Sequence, residues 1–267
     1  MTSDGSSDSG LSKNERREAA REKSRALREQ QKRKDRRSRV ILQGSLAVLV
    51  VAIVAVIGLV AVFAVQLAAQ TAERWDPAIA KFEASDKVSP PPKNGIVFIG
   101  ASSIVRWNLP EYFPELGARA INRGFGGSQS VDSTRYVDRI VVPYQPRIVV
   151  YYAGDNDVEA NVLASEIAHQ FALFEAKVHA ALPDTRIIYI SIKPSIRRWK
   201  WIDTIRTSNA LAKAYCLKTP NTAFMDIENQ MLGADGQPNP ELLVPDGLHM
   251  TPVGYQIWTA ALKPLLK

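Results

Sequence analysis

Four short segments of this 267-residue chain carry side chains that can work together on an acyl group. Ser102 ends Gly100-Ala101-Ser102, just after the apolar run Ile96–Ile99. A glycine-rich stretch follows, Asn122-Arg123-Gly124-Phe125-Gly126-Gly127, then Gly154-Asp155-Asn156-Asp157, and finally Asp246-Gly247-Leu248-His249. A serine hydroxyl becomes a nucleophile when a base takes its proton, and an imidazole held in the right tautomer by a carboxylate is the common base. Ser102, His249 and Asp246 supply these groups. The tetrahedral intermediate also needs N–H donors aimed at its oxyanion, which the Gly127 N–H and the Asn156 amide can provide. Ser103, one residue along the same Gly-Ala-Ser-Ser run, is the rival nucleophile. Among the three histidines only His249 has an aspartate three residues before it. His169 reads as solvent-facing and His179 as peripheral packing.

No metal is expected. Asp155-Asn156-Asp157 is followed by Val158 and Glu159, not by the glycine and spaced acceptors of a calcium loop. The scattered histidines and the single Cys216 give no zinc spacing, and one cysteine forms no internal disulfide. Asp157 reads as a brace for its loop. Arg197-Arg198-Trp199-Lys200-Trp201 reads as an exposed loop beside the site, its tryptophans packed on the domain.

The elements that must position these residues alternate in period. Ile96–Ile99, Arg147–Tyr152, Arg186–Ile192 and Ala223–Ile227 are short β-branched runs suited to buried parallel strands, and Ala118–Ile121 is a fifth. Between them Leu163, Ile167, Phe171, Phe174, Val178 and Leu182 mark one face of a helix. A last helix starts with Thr251 as N-cap and Pro252 at its first position. Such alternation predicts a three-layer α/β/α, flavodoxin-like domain with a parallel sheet over 95–267. Ser102, Gly127 and Asn156 each follow a strand run, where open α/β sheets place their sites.

The first third is different. Residues 1–39 hold thirteen Lys and Arg against seven Asp and Glu, so the basic balance of the chain belongs to this tail. It has no large apolar face and reads as a solvated, partly helical cytoplasmic tail with disorder expected over 1–39; with no recognition motif, no nucleic-acid partner is expected. Val40 to Ala72 carries no charge, and Ile41–Val65 would span about 37 Å as a helix at about 1.5 Å per residue. That exceeds a hydrocarbon core of about 30 Å, so 40–69 is expected to be a transmembrane signal-anchor. Arg33–Arg39 immediately before it place the N-terminus in the cytoplasm and the C-terminal domain outside the cytoplasmic membrane. The alternative, a cleaved signal peptide, calls for an apolar run of about 7–15 residues. Residues 70–94 read as a Pro-rich linker, with a short helical stretch around Trp75, Ile79 and Phe82 before Pro90-Pro91-Pro92, that Trp75 and Phe82 would shorten by docking on the domain.

Together the four blocks resemble the SGNH (GDSL-type) serine hydrolase family, whose signature residues are Ser, Gly, Asn and His. Its Gly-x-x-Asn-Asp block appears here in the shorter form Gly154-Asp155-Asn156-Asp157, and its Asp-x-x-His block as Asp246 to His249. Its first block usually reads Gly-Asp-Ser, and Ala101 departs from it without removing a group that the mechanism needs. The resemblance covers about Gly95 to Lys267. It implies an esterase or acylhydrolase that needs no cofactor, with Ser102, Asp246 and His249 catalytic and Ser102, Gly127 and Asn156 forming the oxyanion hole. It further implies a small ester of short or medium acyl chain as substrate, and the expected location points to an envelope glycan or lipid. Two other classes stay open: an O-acyltransferase using the same residues, and a non-catalytic binding module on the same fold.

Overall fold

The computed structural model describes residues 13–267, the side chains of 13–20, 40, 41, 43–48 and 63–72 excepted. It divides into two compact units, Met1–Thr71 and Ala72–Lys267. The described part of the first is the long helix α1 (Lys13–Glu73). Residues 13–39, read as a solvated, partly helical tail with disorder expected over 1–39, are helical throughout. Ala, Arg, Lys, Glu and Gln dominate them and are strong helix formers, and pairs such as Gln31 Nε2 to Asp35 Oδ1 at 3.1 Å bridge successive turns. Among the described residues no helix is long and apolar enough to cross a membrane. The expected span 40–69 lies partly outside them, its described side chains being Leu42 and 49–62.

The second unit begins earlier than the sequence suggests. Helix α2 (Asp76–Val88) lies inside the stretch read as a linker and buries Ile79 completely. Arg139 fixes it from the domain side, donating to Glu83 at 2.7 and 2.8 Å and to Asp76 at 2.6 Å, while Arg123 pairs with Asp86 at 2.5 Å. The short helical stretch with Trp75, Ile79 and Phe82 was visible in sequence, but these ionic partners are far away along the chain and the acidic side chains of 76–86 gave no local sign of them.

From there the chain alternates: β1 (Ile96–Gly100), α3 (Ser102–Val105), α4 (Leu109–Tyr112), β2 (Ala120–Gly124), α5 (Ser130–Arg135), α6 (Val137–Ile140), β3 (Ile148–Tyr152), α7 (Asp155–Glu159), α8 (Ala164–Ala181), β4 (Arg186–Ile190), α9 (Ile202–Cys216), β5 (Thr222–Met225) and α10 (Pro252–Leu262). All strand pairs are parallel, in the order β2-β1-β3-β4-β5, the flavodoxin-like arrangement. Side chains alternate across the sheet because successive Cβ atoms point to opposite faces. Phe98, Val150, Tyr152 and Ile188 enter one core with Trp107, Phe113, Trp258 and Leu262 from α10 and the segments after α3 and α4. Val97, Val149, Tyr151 and Tyr189 enter the other with Ile79 of α2, Val137 and Ile140 of α6, Phe171, Phe174 and Val178 of α8, and Ala212 of α9. Full burial of such a side chain stabilises the fold by about 1.5–3 kcal/mol. A three-layer sandwich results.

The sequence pattern located α8 closely: Ile167, Phe171, Phe174 and Val178 are buried, and Leu163 and Leu182 are its cap residues. α10 begins as expected, with Thr251 Oγ1 accepting from the Gly254 N–H at 3.4 Å.

Candidate active site

Register brings three of the four blocks to one edge. Gly100 stands opposite Gly124 on one side and Tyr152 on the other, so the loops after β1, β2 and β3 leave the sheet at the same level. The chain runs from β1 to β2 on one side and returns to β3 on the other, which opens a crevice between these loops. Gly100 has φ +144°, and a Cβ there would lie 1.8 Å from the Tyr152 carbonyl oxygen. Only glycine lets β1 approach β3 so closely before the chain turns away. Ala101 then donates its N–H to that carbonyl at 3.2 Å, and Ser102 opens α3. The Ala101 methyl is buried and gives α3 no side-chain cap, which is the local outcome of its departure from Gly-Asp-Ser.

The fourth block arrives from the far end of the chain. The Val244 N–H donates to the His249 carbonyl at 2.8 Å and the Gly247 N–H to the Val244 carbonyl at 2.9 Å, closing a tight turn. Asp246 Oδ1 accepts the N–H groups of Leu248 and His249, both at 2.9 Å, and its Oδ2 lies 2.5 Å from His249 Nδ1. His249 Nε2 in turn lies 2.9 Å from Ser102 Oγ, across 147 residues of sequence. Burial of Asp246 opposes its ionisation, but the three hydrogen bonds from His249 and Leu248 outweigh it and hold the carboxyl well below its usual range. The aspartate is thus ionised at neutral pH.

The residues expected as oxyanion donors lie on the segments after β2 and β3. Gly127 has φ +82°, which glycine adopts without strain, and its neighbour Gly126 faces Ser102, a Cβ there being 3.8 Å from the serine Cβ. Among the described residues the N–H groups of Ser102 and Gly127 donate to no protein acceptor. Asn156, in the first turn of α7, gives one Nδ2–H to the Ser128 carbonyl at 2.9 Å and accepts at Oδ1 from Arg198 Nη2 at 3.3 Å. The other Nδ2–H is left over. Asp157 takes the Ser130 N–H at 3.1 Å and its hydroxyl at 2.5 Å, fastening the loop after β2 to the Asn156 turn. Ser102, Asp246 and His249 therefore form one hydrogen-bonded line, with Gly127 and Asn156 on the loops beside it. Ser103 does not join it: it is buried, and its carbonyl accepts from the Tyr255 hydroxyl at 2.9 Å.

For two neighbours of the site sequence reasoning gave the neighbourhood but not the contact. Arg198, read as part of an exposed loop, is 2% exposed. Trp75 lies against Gly127, its Cη2 3.4 Å from where a Cβ would stand, and donates from Nε1 to Asp132 at 3.1 Å. Trp75 precedes the domain core in sequence and no spacing rule connects it to Gly127. Of the other histidines, His169 is exposed, and His179 pairs with Glu175 and sits 2.8 Å from the Thr185 carbonyl, remote in function from the serine.

Residues 102–257 match the profile of the GDSL-like lipase/acylhydrolase family, more than half of the chain. No curated protein matches. Among solved structures, a protein of Streptococcus pneumoniae named for platelet activating factor is 24% identical, with a TM-score of 0.65, covering 75% of this chain and 99% of its own. A GDSL-like lipase of Bacteroides thetaiotaomicron is also 24% identical, with a TM-score of 0.61, covering 70% of this chain and 96% of its own. A carbohydrate esterase of family 3 from Talaromyces cellulolyticus is 21% identical, with a TM-score of 0.54 and coverage of 64% and 96%. At these identities the likeness is one of fold.

Proposed function

We propose, from the premise that the chain belongs to the GDSL-like lipase/acylhydrolase family and is a serine esterase, that Ser102 is its nucleophile and that it hydrolyses esters through an acyl-enzyme. The observation that carries this reading is the line Asp246 Oδ2, His249 Nδ1, His249 Nε2, Ser102 Oγ, with separations of 2.5 and 2.9 Å at its two hydrogen bonds. Ser102 Oγ attacks the ester carbonyl while His249 Nε2 takes its proton. Asp246 keeps Nδ1 protonated and stabilises the imidazolium that forms. The oxyanion is bound by the N–H groups of Ser102 and Gly127 and the spare Nδ2–H of Asn156. His249 returns the proton to the leaving alcohol, then takes one from the water that releases the acid. No step calls for a cofactor.

The substrate we assign is a small ester with a short or medium acyl group, on an envelope glycan or lipid. The likeness to a carbohydrate esterase supports the glycan side of this. Anchoring in the cytoplasmic membrane through 40–69, with the N-terminus inside and the catalytic domain outside, is supported by the uncharged stretch Val40–Ala72, the basic residues Arg33–Arg39 before it, and the exposed apolar side chains of Val51, Val54, Ile57 and Leu59. Membrane fractionation with protease protection of intact cells tests the anchor; a domain found in the soluble cytosol refutes it.

The test of the chemistry is hydrolysis of p-nitrophenyl acetate, butyrate and octanoate by the full-length chain beside Ser102→Ala and Ser103→Ala. Turnover lost in Ser102→Ala alone supports the assignment. Loss in Ser103→Ala alone moves the nucleophile by one residue. Absence of turnover in the parent chain, with acyl transfer to an added sugar acceptor, makes it an O-acyltransferase; absence of both leaves a binding module.

A further inference from the structure

A guanidinium as deeply buried as that of Arg198 has to be matched by acceptors, because an unpaired buried cation is strongly destabilising. All its acceptors lie on the turn that carries Asn156. Nε donates to the Asp155 carbonyl at 3.0 Å, Nη2 to Asn156 Oδ1 at 3.3 Å, and Nη1 is ion-paired with Glu159. One side chain thus grips the start, the functional residue and the end of α7.

The same loop reaches the other half of the site. The Arg197 N–H donates to the Gly247 carbonyl at 2.9 Å, within the turn that holds Asp246 and His249. Gly247 has φ +67°, and a Cβ there would come within 3.2 Å of Ile196 Cβ, so the two turns are in close contact. Residues 196–198 therefore touch both the donor side and the base side.

We propose that Arg198 is a positioning residue for ester hydrolysis: by holding Asn156 Oδ1 it locks the amide in the orientation that leaves one Nδ2–H for the oxyanion. The inference rests on the assignment of Asn156 as an oxyanion donor. A carboxamide is nearly symmetric in shape, and only its hydrogen-bond partners decide which end is which. Turned over, Asn156 would set its NH2 against the Arg198 guanidinium and its oxygen against the Ser128 carbonyl, two mismatches at once. The cation on Oδ1 also polarises the amide, which strengthens the N–H left for the oxyanion. Preorganised donors of this kind act without reorientation at the moment of reaction.

A double-mutant cycle on kcat tests this, using p-nitrophenyl acetate and the full-length chain in mild detergent. Asn156→Ala is expected to lower kcat by roughly 100- to 1,000-fold, the usual result of deleting an oxyanion donor. Arg198→Lys is expected to lower kcat by about 10-fold or more with KM within about twofold, because a single ammonium cannot reproduce the planar fork. The decisive arm is the pair: Arg198→Lys on top of Asn156→Ala should slow the enzyme no further. An equal fall in both backgrounds, or no fall in either, overturns the proposal while Asn156 keeps its role. Full activity in Asn156→Ala overturns the oxyanion assignment and this inference with it. Where Arg198→Lys lacks a cooperative thermal transition, Arg198→Met takes its place in the cycle and is read in the same way, since Glu159, 42% exposed, stays hydrated without its cation.

Discussion

Asp157 makes the stability of the domain depend on pH in a direction opposite to that of most carboxylates. Its side chain is 2% exposed, and burial raises its pKa from 3.8 to about 6, helped by the charge of Asp155 and opposed by the hydrogen bonds from Ser130. The folded state therefore holds the proton more tightly than the unfolded chain. Such a group gives its full stabilising contribution below about 3.8, and that contribution is lost as pH rises through about 6. A difference of roughly 2 pH units at about 1.36 kcal/mol each gives about 3 kcal/mol, of which about 2 kcal/mol falls between pH 4.5 and 8. Asp157→Asn cannot ionise and escapes this loss, whatever constant penalty comes from an amide in place of the carboxyl group. For a domain of this size about 1 kcal/mol moves the melting temperature by about 2–4 °C. The melting temperature of Asp157→Asn relative to the parent should thus rise by about 4–8 °C between pH 4.5 and 8, followed by near-ultraviolet circular dichroism. All other titrations are common to both proteins and cancel. An offset that stays constant with pH, or falls, refutes the reasoning.

Asp246→Asn leaves the size of the side chain unchanged but removes the charge that fixes the His249 tautomer; kcat for p-nitrophenyl acetate should fall by roughly 10⁴-fold, and a loss below about 10-fold would remove Asp246 from the mechanism. Gly100→Ala forces a Cβ to 1.8 Å from a backbone oxygen at φ +144°, so a loss of at least about 3 kcal/mol in urea unfolding is expected, and a midpoint equal to that of the parent would contradict the close crossing of β1 and β3.

How much of this was legible before folding varies with the range of the interaction. The strand runs and the α8 stripe are local signals: a buried parallel strand must be apolar over about five residues, and a helix face repeats at fixed spacing, so Ile148–Tyr152 and Ile167 to Val178 could be read directly. Asp246 and His249 were legible because three residues of one turn carry their contact. Helix α2 could be read as a short helical stretch with Trp75, Ile79 and Phe82, but its ion-pair partners Arg139 and Arg123 could not, nor could the burial of Arg198 against Asn156 and Glu159, since these partners lie far along the chain. A charged side chain among other charges looks solvated in sequence, and only the fold shows that Arg198 has exchanged water for two hydrogen bonds and one ion pair within the protein.

The separation of 147 positions between Ser102 and His249 also imposes an order of assembly. Every strand is parallel to its neighbours, so each pairing waits for a crossover, and α10 adds Trp258 and Leu262 to the core around Trp107 only after the five strands have been made. As the chain leaves the ribosome, Ser102 emerges long before the histidine whose Nε2 it meets in the fold. If Ser102 is the nucleophile, it has no base until the His249 turn and α10 have docked, and the growing polypeptide is inert towards esters until then. On that assignment, turnover of a chromogenic ester is a readout of completed folding, and any chain that stops short of His249 should stay silent even where its sheet has formed.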